Sequence, residues 1–346
     1  MIDWTMAERV AGFVAQEPSP DGVTLIDLAP VVADSRERVV AYTGLQPQSP
    51  LPAPEIVDRR GWAATNLAGL RPVLDPLADR ISDQGPLAAP LRSAAGVVLS
   101  GQVGLITGYL AQRVMGQYEL ALLDPQVPAR LLFVAPNLAA AARALGADRE
   151  ELTRWVAFHE VTHAVQFGSV AWLRPHLAGI LEELLADIEL SVDAGAMGRL
   201  PSLTDMRDLV DAVREGGLVA LVARGRRREL IDNLQATMAV VEGYAEHVMD
   251  AVGEDVLPSV RSLRAALDRR RQSRSTPLRL LERLLGLELK LRQYEIGKRF
   301  CDAVVAAGGI AALNHVWTDP DALPSLAELD DPEGWLARTQ VRIVTN

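Results

Sequence analysis

The chain has 346 residues, 49% of them apolar and 23% charged, enough for one large core or two closely packed lobes. Its formal net charge of −10 excludes a nucleic-acid protein that holds phosphates on a basic surface. Aromatic residues make up only 5%, and an Ala- and Leu-rich remainder favours helix over sheet. A single cysteine, Cys301, rules out a disulfide within the chain and fits a reducing compartment. Residues 1–5 lack the basic-then-apolar pattern of a secretory leader, so the cytoplasm is the expected location.

Residues 4–15 read as a short amphipathic helix. Proline-rich stretches near Pro18, Pro20 and Pro30, and from Pro47 to Pro54, read as loops. Residues 60–80 and 88–115 carry helical patterns, and no charge occurs between Arg92 and Arg113, a length that could span a bilayer. Ser100, Gln102, Thr107 and Gln112, with Gly96, Gly101, Gly104 and Gly108, favour a buried core helix there instead. Tyr118–Leu123 and Arg130–Val134 are β-prone runs joined by Asp124-Pro125-Gln126-Val127-Pro128, which predicts a hairpin. Pro136 to Leu145 reads as a helix stopped by Gly146. Asp148 then caps a further helix, with Glu151 placed to complete a capping box and Gly168 to end it.

Helical patterns follow at 176–195, 204–222, 228–252, 257–270 and 277–307, with Arg224–Arg228 and Arg269–Arg274 as solvated ends or turns between them. The expected fold is mainly α, with a small β-hairpin or sheet beside the helix that starts at Asp148. The expected organisation is an N-terminal helical and loop region, 1–85, packed on a core of 86–310, with an irregular tail over 311–346.

His159-Glu160-Val161-Thr162-His163 carries the chemistry. On a helix, residues four apart sit one turn above each other, so both imidazoles can share one ion. Glu160 then projects beside the metal, placed to take a proton from a water whose pKa the metal lowers. Neutral imidazoles with a carboxylate and water fit zinc (Zn2+) best. The flanking Trp155, Val156, Ala157, Phe158, Ala164, Val165 and Phe167 imply a half-buried pair, and a buried His-Glu-His cluster needs a partner to offset desolvation.

Three residues compete for the third ligand. Glu242 interrupts the apolar run Ala236–Ala245, where a carboxylate is not buried without compensation. Gly243 beside it lets two helices approach closely. Glu246 lies one turn on, placed to hydrogen-bond a ligand imidazole from behind. Glu182 follows His163 with the x18 spacing of a large aminopeptidase group, yet it shares a polar stripe with Glu183 and Asp187, the pattern of a solvated face. His247 requires a rotated helix. The residues favour Glu242, then Glu182, then His247.

The segment His159–Phe167 running into Trp172-Leu173-Arg174-Pro175, the block Glu242-Gly243-Tyr244-Ala245-Glu246-His247-Val248-Met249-Asp250, and Leu285–Tyr294 followed by Gly297 and Phe300 together resemble the zincin-like metallopeptidase type 2 family. Its members are proteins of actinobacteria and their relatives, labelled hydrolases or linked by name to deazaflavin coenzyme biosynthesis. The resemblance spans most of residues 90–310. It implies a mainly helical zincin-like fold and Glu242 as the third ligand, and it supplies no substrate. Tyr244 stands where members commonly carry His.

Zincin chemistry also needs a donor for the oxyanion, and Tyr294, Tyr244, His247 and Lys290 have the right residue type. The 118–134 hairpin offers an edge to which an extended peptide can add. Cys301, among apolar neighbours, reads as core. The resulting expectation is a zinc-dependent hydrolase, foremost a peptidase acting on a peptide or other amide, with no nucleic-acid partner and no membrane span. Its rivals are a non-catalytic protein with a structural metal or partner-binding site, and a membrane-associated helical protein built on residues 93–112.

Overall fold

The structure, a computed structural model, describes residues 2–16, 27–83, 89–193, 226–272 and 287–340. The expected helix at 204–222 lies outside the described residues, as do the side chains of Lys290 and Tyr294.

Helix α1 (Trp4–Ala15) starts at Asp3, whose carboxylate accepts the Met6 N–H. It packs on α4 (Ala89–Ala111) at Gly104 and Gly108, where an added Cβ would strike the backbone at Ala7 and Ala11. Gly104 and Gly108 in the uncharged stretch thus serve close helix contact. Away from these contacts α4 leaves Val97, Val98 and Leu105 exposed, so this helix is half-buried where a buried core helix was expected. Among the described residues, one stretch, Glu295–Trp317, has the length and hydropathy to cross a membrane. It is broken at Gly309 (φ 72°) and buries Phe300, Cys301, Val304 and Leu313 in the core.

After α2 (Leu28–Thr43), residues Pro54–Val57 form strand β1, which starts at the last residue of what reads as a proline-rich loop. Helix α3 (Arg59–Asp83) follows. Strands β2 (Gly116–Glu119) and β3 (Arg130–Val134) pair antiparallel as expected, with Tyr118 opposite Leu131. β2 begins earlier than its sequence pattern and ends at Glu119. Strand β1 pairs parallel with the far side of β3, in the order β1-β3-β2. Central β3 is buried on both faces: Leu131 and Phe133 enter the main core, Leu132 and Val134 the smaller core under α1, α3 and α4.

Helices α5 (Ala135–Leu145), α6 (Arg149–Ser169), α7 (Leu173–Asp193), α8 (Arg226–Val256), α9 (Val260–Gln272) and α10 (Leu287–Leu313) supply most of the main core. The tail is more regular than expected. Asp331 caps α11 (Pro332–Thr339), and Trp335 is fully buried edge-on against Phe300.

Candidate metal centre

Asp148 caps α6 by accepting the Glu151 N–H at 3.0 Å. The reciprocal half of the capping box does not form, because the Glu151 carboxylate takes the Ser259 hydroxyl instead. The helix then runs through the motif, and its inner face carries both imidazoles. His159 Nε2 and His163 Nε2 lie 3.2 Å apart. Glu242 arrives from α8, its Oε2 at 3.6 Å from His159 Nε2 and 3.4 Å from His163 Nε2. Beside it, α8 and α10 touch backbone to backbone: a Cβ on Gly243 would collide with Gly297 and Lys298, and one on Gly297 with the Ala239 carbonyl.

This triangle has the size of one face of a tetrahedral zinc site. Bonds of ~2.0–2.1 Å at tetrahedral angles place ligand atoms about 3.3–3.4 Å apart. Electrostatics agree. Burial opposes a charged His159, yet its hydrogen bond to Glu242 and the charges of Glu160, Glu242 and Glu246 push its pKa up to about 9. Burial likewise opposes the Glu242 carboxylate, and the two imidazoles hold it well below its ordinary range. Two histidines and a glutamate that could hold an ion thus sit in a buried pocket short of positive charge.

Gln166, fully buried, locks the second imidazole. Its Oε1 lies 3.0 Å from His163 Nδ1 while its Nε2 donates to the Val241 carbonyl at 3.1 Å. The Nδ1–H donates, so Nε2 presents a lone pair toward His159 and Glu242. His159 Nδ1 is buried without a hydrogen-bond partner. The bond expected there from Glu246 does not form. Arg264 Nη1 holds the Glu246 carboxylate at 2.6 Å and stacks its guanidinium 5.0 Å from the Trp155 ring. Glu246 reaches His159 through its charge alone.

Glu160, buried on α6, stands against β2. Its Oε2 accepts the Tyr118 N–H at 2.8 Å, and burial pushes its carboxyl up. Gly116 makes room: a Cβ there would come within 2.7 Å of Glu160 Cγ and 3.0 Å of its Oε1.

The remaining sequence candidates lie elsewhere. Glu182 is exposed on α7, outside the cluster, as its polar stripe implied. His247 bridges Tyr42 Oη and Asp302 Oδ1, each at 2.7 Å, and so ties α2, α8 and α10 together. Tyr244 is buried with its hydroxyl donating to Asn314 Oδ1 at 2.7 Å, a packing role. Cys301 is buried, and burial raises its thiol. Gln166 was missed, although its place three residues after His163 puts it on the same helix face. The Tyr118 N–H and Gly116 carry no side-chain signal at all.

A groove of about 560 Å³ leads to the cluster. The segment Gln117–Asp124 lines it together with residues of α3, α6, α7 and α8, His163 and Glu242 among them.

The family model of zincin-like metallopeptidases matches residues 2–336. A crystal structure from Chloroflexus aurantiacus, described as "a putative hydrolase with a novel fold", shares 30% identity over 99% of this chain and 100% of its own, with a TM-score of 0.71. No curated protein matches. The HExxH helix, the facing glutamate and a family match over nearly the whole length agree: this chain belongs to the zincin-like metallopeptidase family.

Proposed function

We propose that the protein is a zinc-dependent hydrolase of amide bonds, foremost a peptidase, in which His159, His163 and Glu242 hold the ion and Glu160 is the base. The observation that carries this reading is the triangle of ligand atoms, 3.2, 3.4 and 3.6 Å on its sides, with His163 and Glu242 lining an open groove. A closed structural site would have its positions filled by protein. A zinc ion at that place supplies Lewis acidity, acidifying water and polarising an amide carbonyl.

The chain's own residues do the rest. Gln166 keeps the His163 proton on Nδ1. The Tyr118 N–H occupies one oxygen of Glu160 and orients the other. Burial raises the proton affinity of that carboxyl, so Glu160 can take a proton from water and pass it to the departing amine. The groove beside β2 accepts an extended chain.

The test is zinc content followed by turnover of a peptide mixture by mass spectrometry. One zinc per chain is expected, with Glu160→Gln keeping the ion and losing about 10³-fold in rate. Sub-stoichiometric zinc, or an undiminished rate in Glu160→Gln, overturns the reading.

A further inference from the structure

The groove wall contains one carboxylate whose bonding capacity is unused. Glu119 ends β2, opposite Arg130 in register. Its Oε2 is buried without a hydrogen-bond partner, and Arg130 Nη1 stops 3.9 Å short of it. Arg130 is committed elsewhere. Its Nε and Nη2 grip Glu55 at 2.9 and 2.6 Å, and its Nη1 donates to Thr65 Oγ1 at 3.0 Å. The neighbouring amides of Asn66 and Gln117 satisfy each other at 3.1 and 3.2 Å. A Cβ on Gly69 would stand 3.6 Å from Glu119 Oε1, so the wall of α3 follows the carboxylate closely without bonding it.

Beyond these polar neighbours the lining is largely apolar. Leu70, Val73, Leu120, Leu122, Leu177 and Met238 line the same groove. The Glu119 side chain is 20% exposed and lines the groove, and a carboxylate that accepts no hydrogen bond is stabilised by a ligand bearing N–H groups. Position along the strand matters as well. The N–H of Tyr118 is fastened to Glu160, and Glu119 lies one residue further, ~3.3 Å along the strand. Its carboxylate lines the same groove as His163 and Glu242.

We propose that Glu119 is the specificity-determining residue of the groove, receiving a primary ammonium on an otherwise apolar peptide. It rests on the reading of this groove as the substrate site and gives that reading a substrate class. The ammonium can come from a free peptide N-terminus or from a lysine side chain, and both present the same charge-assisted donors. An arriving cation also keeps Glu119 ionised, against the burial that pushes its carboxyl up.

The experiment uses full-length, zinc-loaded protein in the Glu160→Gln background, so that calorimetry reads binding without turnover. The probes are Leu-Leu-Leu-amide, its N-acetylated form, and N-acetyl-Leu-Leu-Lys-amide. At least one ammonium-bearing probe is expected to bind about 10- to 100-fold tighter than the acetylated trileucine, and which one does so identifies the source. Adding Glu119→Gln abolishes that preference, whereas Glu119→Asp retains part of it. Equal binding of all three probes, binding of none, or a preference that survives Glu119→Gln overturns the proposal. If Glu119→Gln does not fold by circular dichroism, the comparison of free and acetylated probes on the parent decides. Hydrolysis by the unmutated enzyme separates the two readings. Turnover indifferent to acetylation sinks this proposal and leaves the hydrolase standing; ammonium-dependent binding without any turnover does the reverse.

Discussion

Replacing Gln166 by leucine keeps the side-chain volume nearly constant and removes both polar contacts that fix the second imidazole. The Val241 carbonyl lies within α8 and keeps its helical partner, so losing the glutamine N–H there costs little. The His163 side is different. In the ion-free protein the imidazole can move its proton from Nδ1 to Nε2 and donate to Glu242, 3.4 Å away, so the penalty is largely avoided. Binding zinc forces the proton back onto a buried Nδ1 that now lacks an acceptor, at a cost of about 1–3 kcal/mol. The expected loss of zinc affinity is ~10- to 100-fold, the range found when a ligand histidine loses its outer partner. Competition against a chromophoric chelator at pH 7.5 measures it, and urea unfolding of the ion-free form checks that stability falls by less than about 1 kcal/mol. Zinc affinity within threefold of the parent would refute the reasoning, because it would mean that Gln166 does not set the tautomer.

Four further outcomes are expected. With the His159 pKa pushed up to about 9, the ion-free protein carries that proton at pH 7, and zinc must displace it. Calorimetry in buffers of different ionisation enthalpy should show about one proton released, with affinity falling roughly tenfold per pH unit below 9; no release contradicts the assignment. The raised pKa stabilises the ion-free fold fully below pH 6.5, and that contribution is lost as pH rises through about 9, so the apo melting temperature should decline across this window. Gly116→Ala places a methyl 2.7 Å from Glu160 Cγ; it should keep its zinc and lose ~10²-fold in kcat/KM, and unchanged kinetics would dismiss β2 as the wall that positions the base. Arg264→Met strips the buried Glu246 of its 2.6 Å cation while Lys298 still holds Asp250, so urea unfolding should show a loss of about 3 kcal/mol; under 1 kcal/mol would show that Glu246 relaxes to another partner.

Much of the scaffold could be read from the residues alone because local and tertiary preferences agree there. Asp148 begins α6 where its carboxylate can cap, and Arg130–Val134 is a strand because all of Leu131–Val134 is fully buried on one side or the other. Strand β1 could not be read this way. It has four residues, starts at a proline, and exists through a parallel partner more than seventy positions away. The tail misled for a related reason. Its three prolines suggested irregularity, although Pro332 sits at the first turn of α11, where a missing N–H costs nothing, behind the Asp331 cap.

The candidate site divides along the same line. His159, His163 and Glu242 stand out because polar groups in apolar helical runs contradict solvation unless something compensates them, and Gly243 marks where the helices close on one another. The groups that would meet a substrate carry no such contradiction. Tyr118 contributes a backbone N–H, which every residue but proline has. Glu119 alternates with Tyr118 as a charge does on any half-solvated strand, and in sequence it is indistinguishable from a solubilising surface glutamate. Only the passage of α3 over that end of β2, with Gly69 against the carboxylate, turns it into a buried acceptor without a donor. The candidate metal ligands are legible because their chemistry conflicts with their neighbours in the chain, whereas Glu119 conflicts only with neighbours in space.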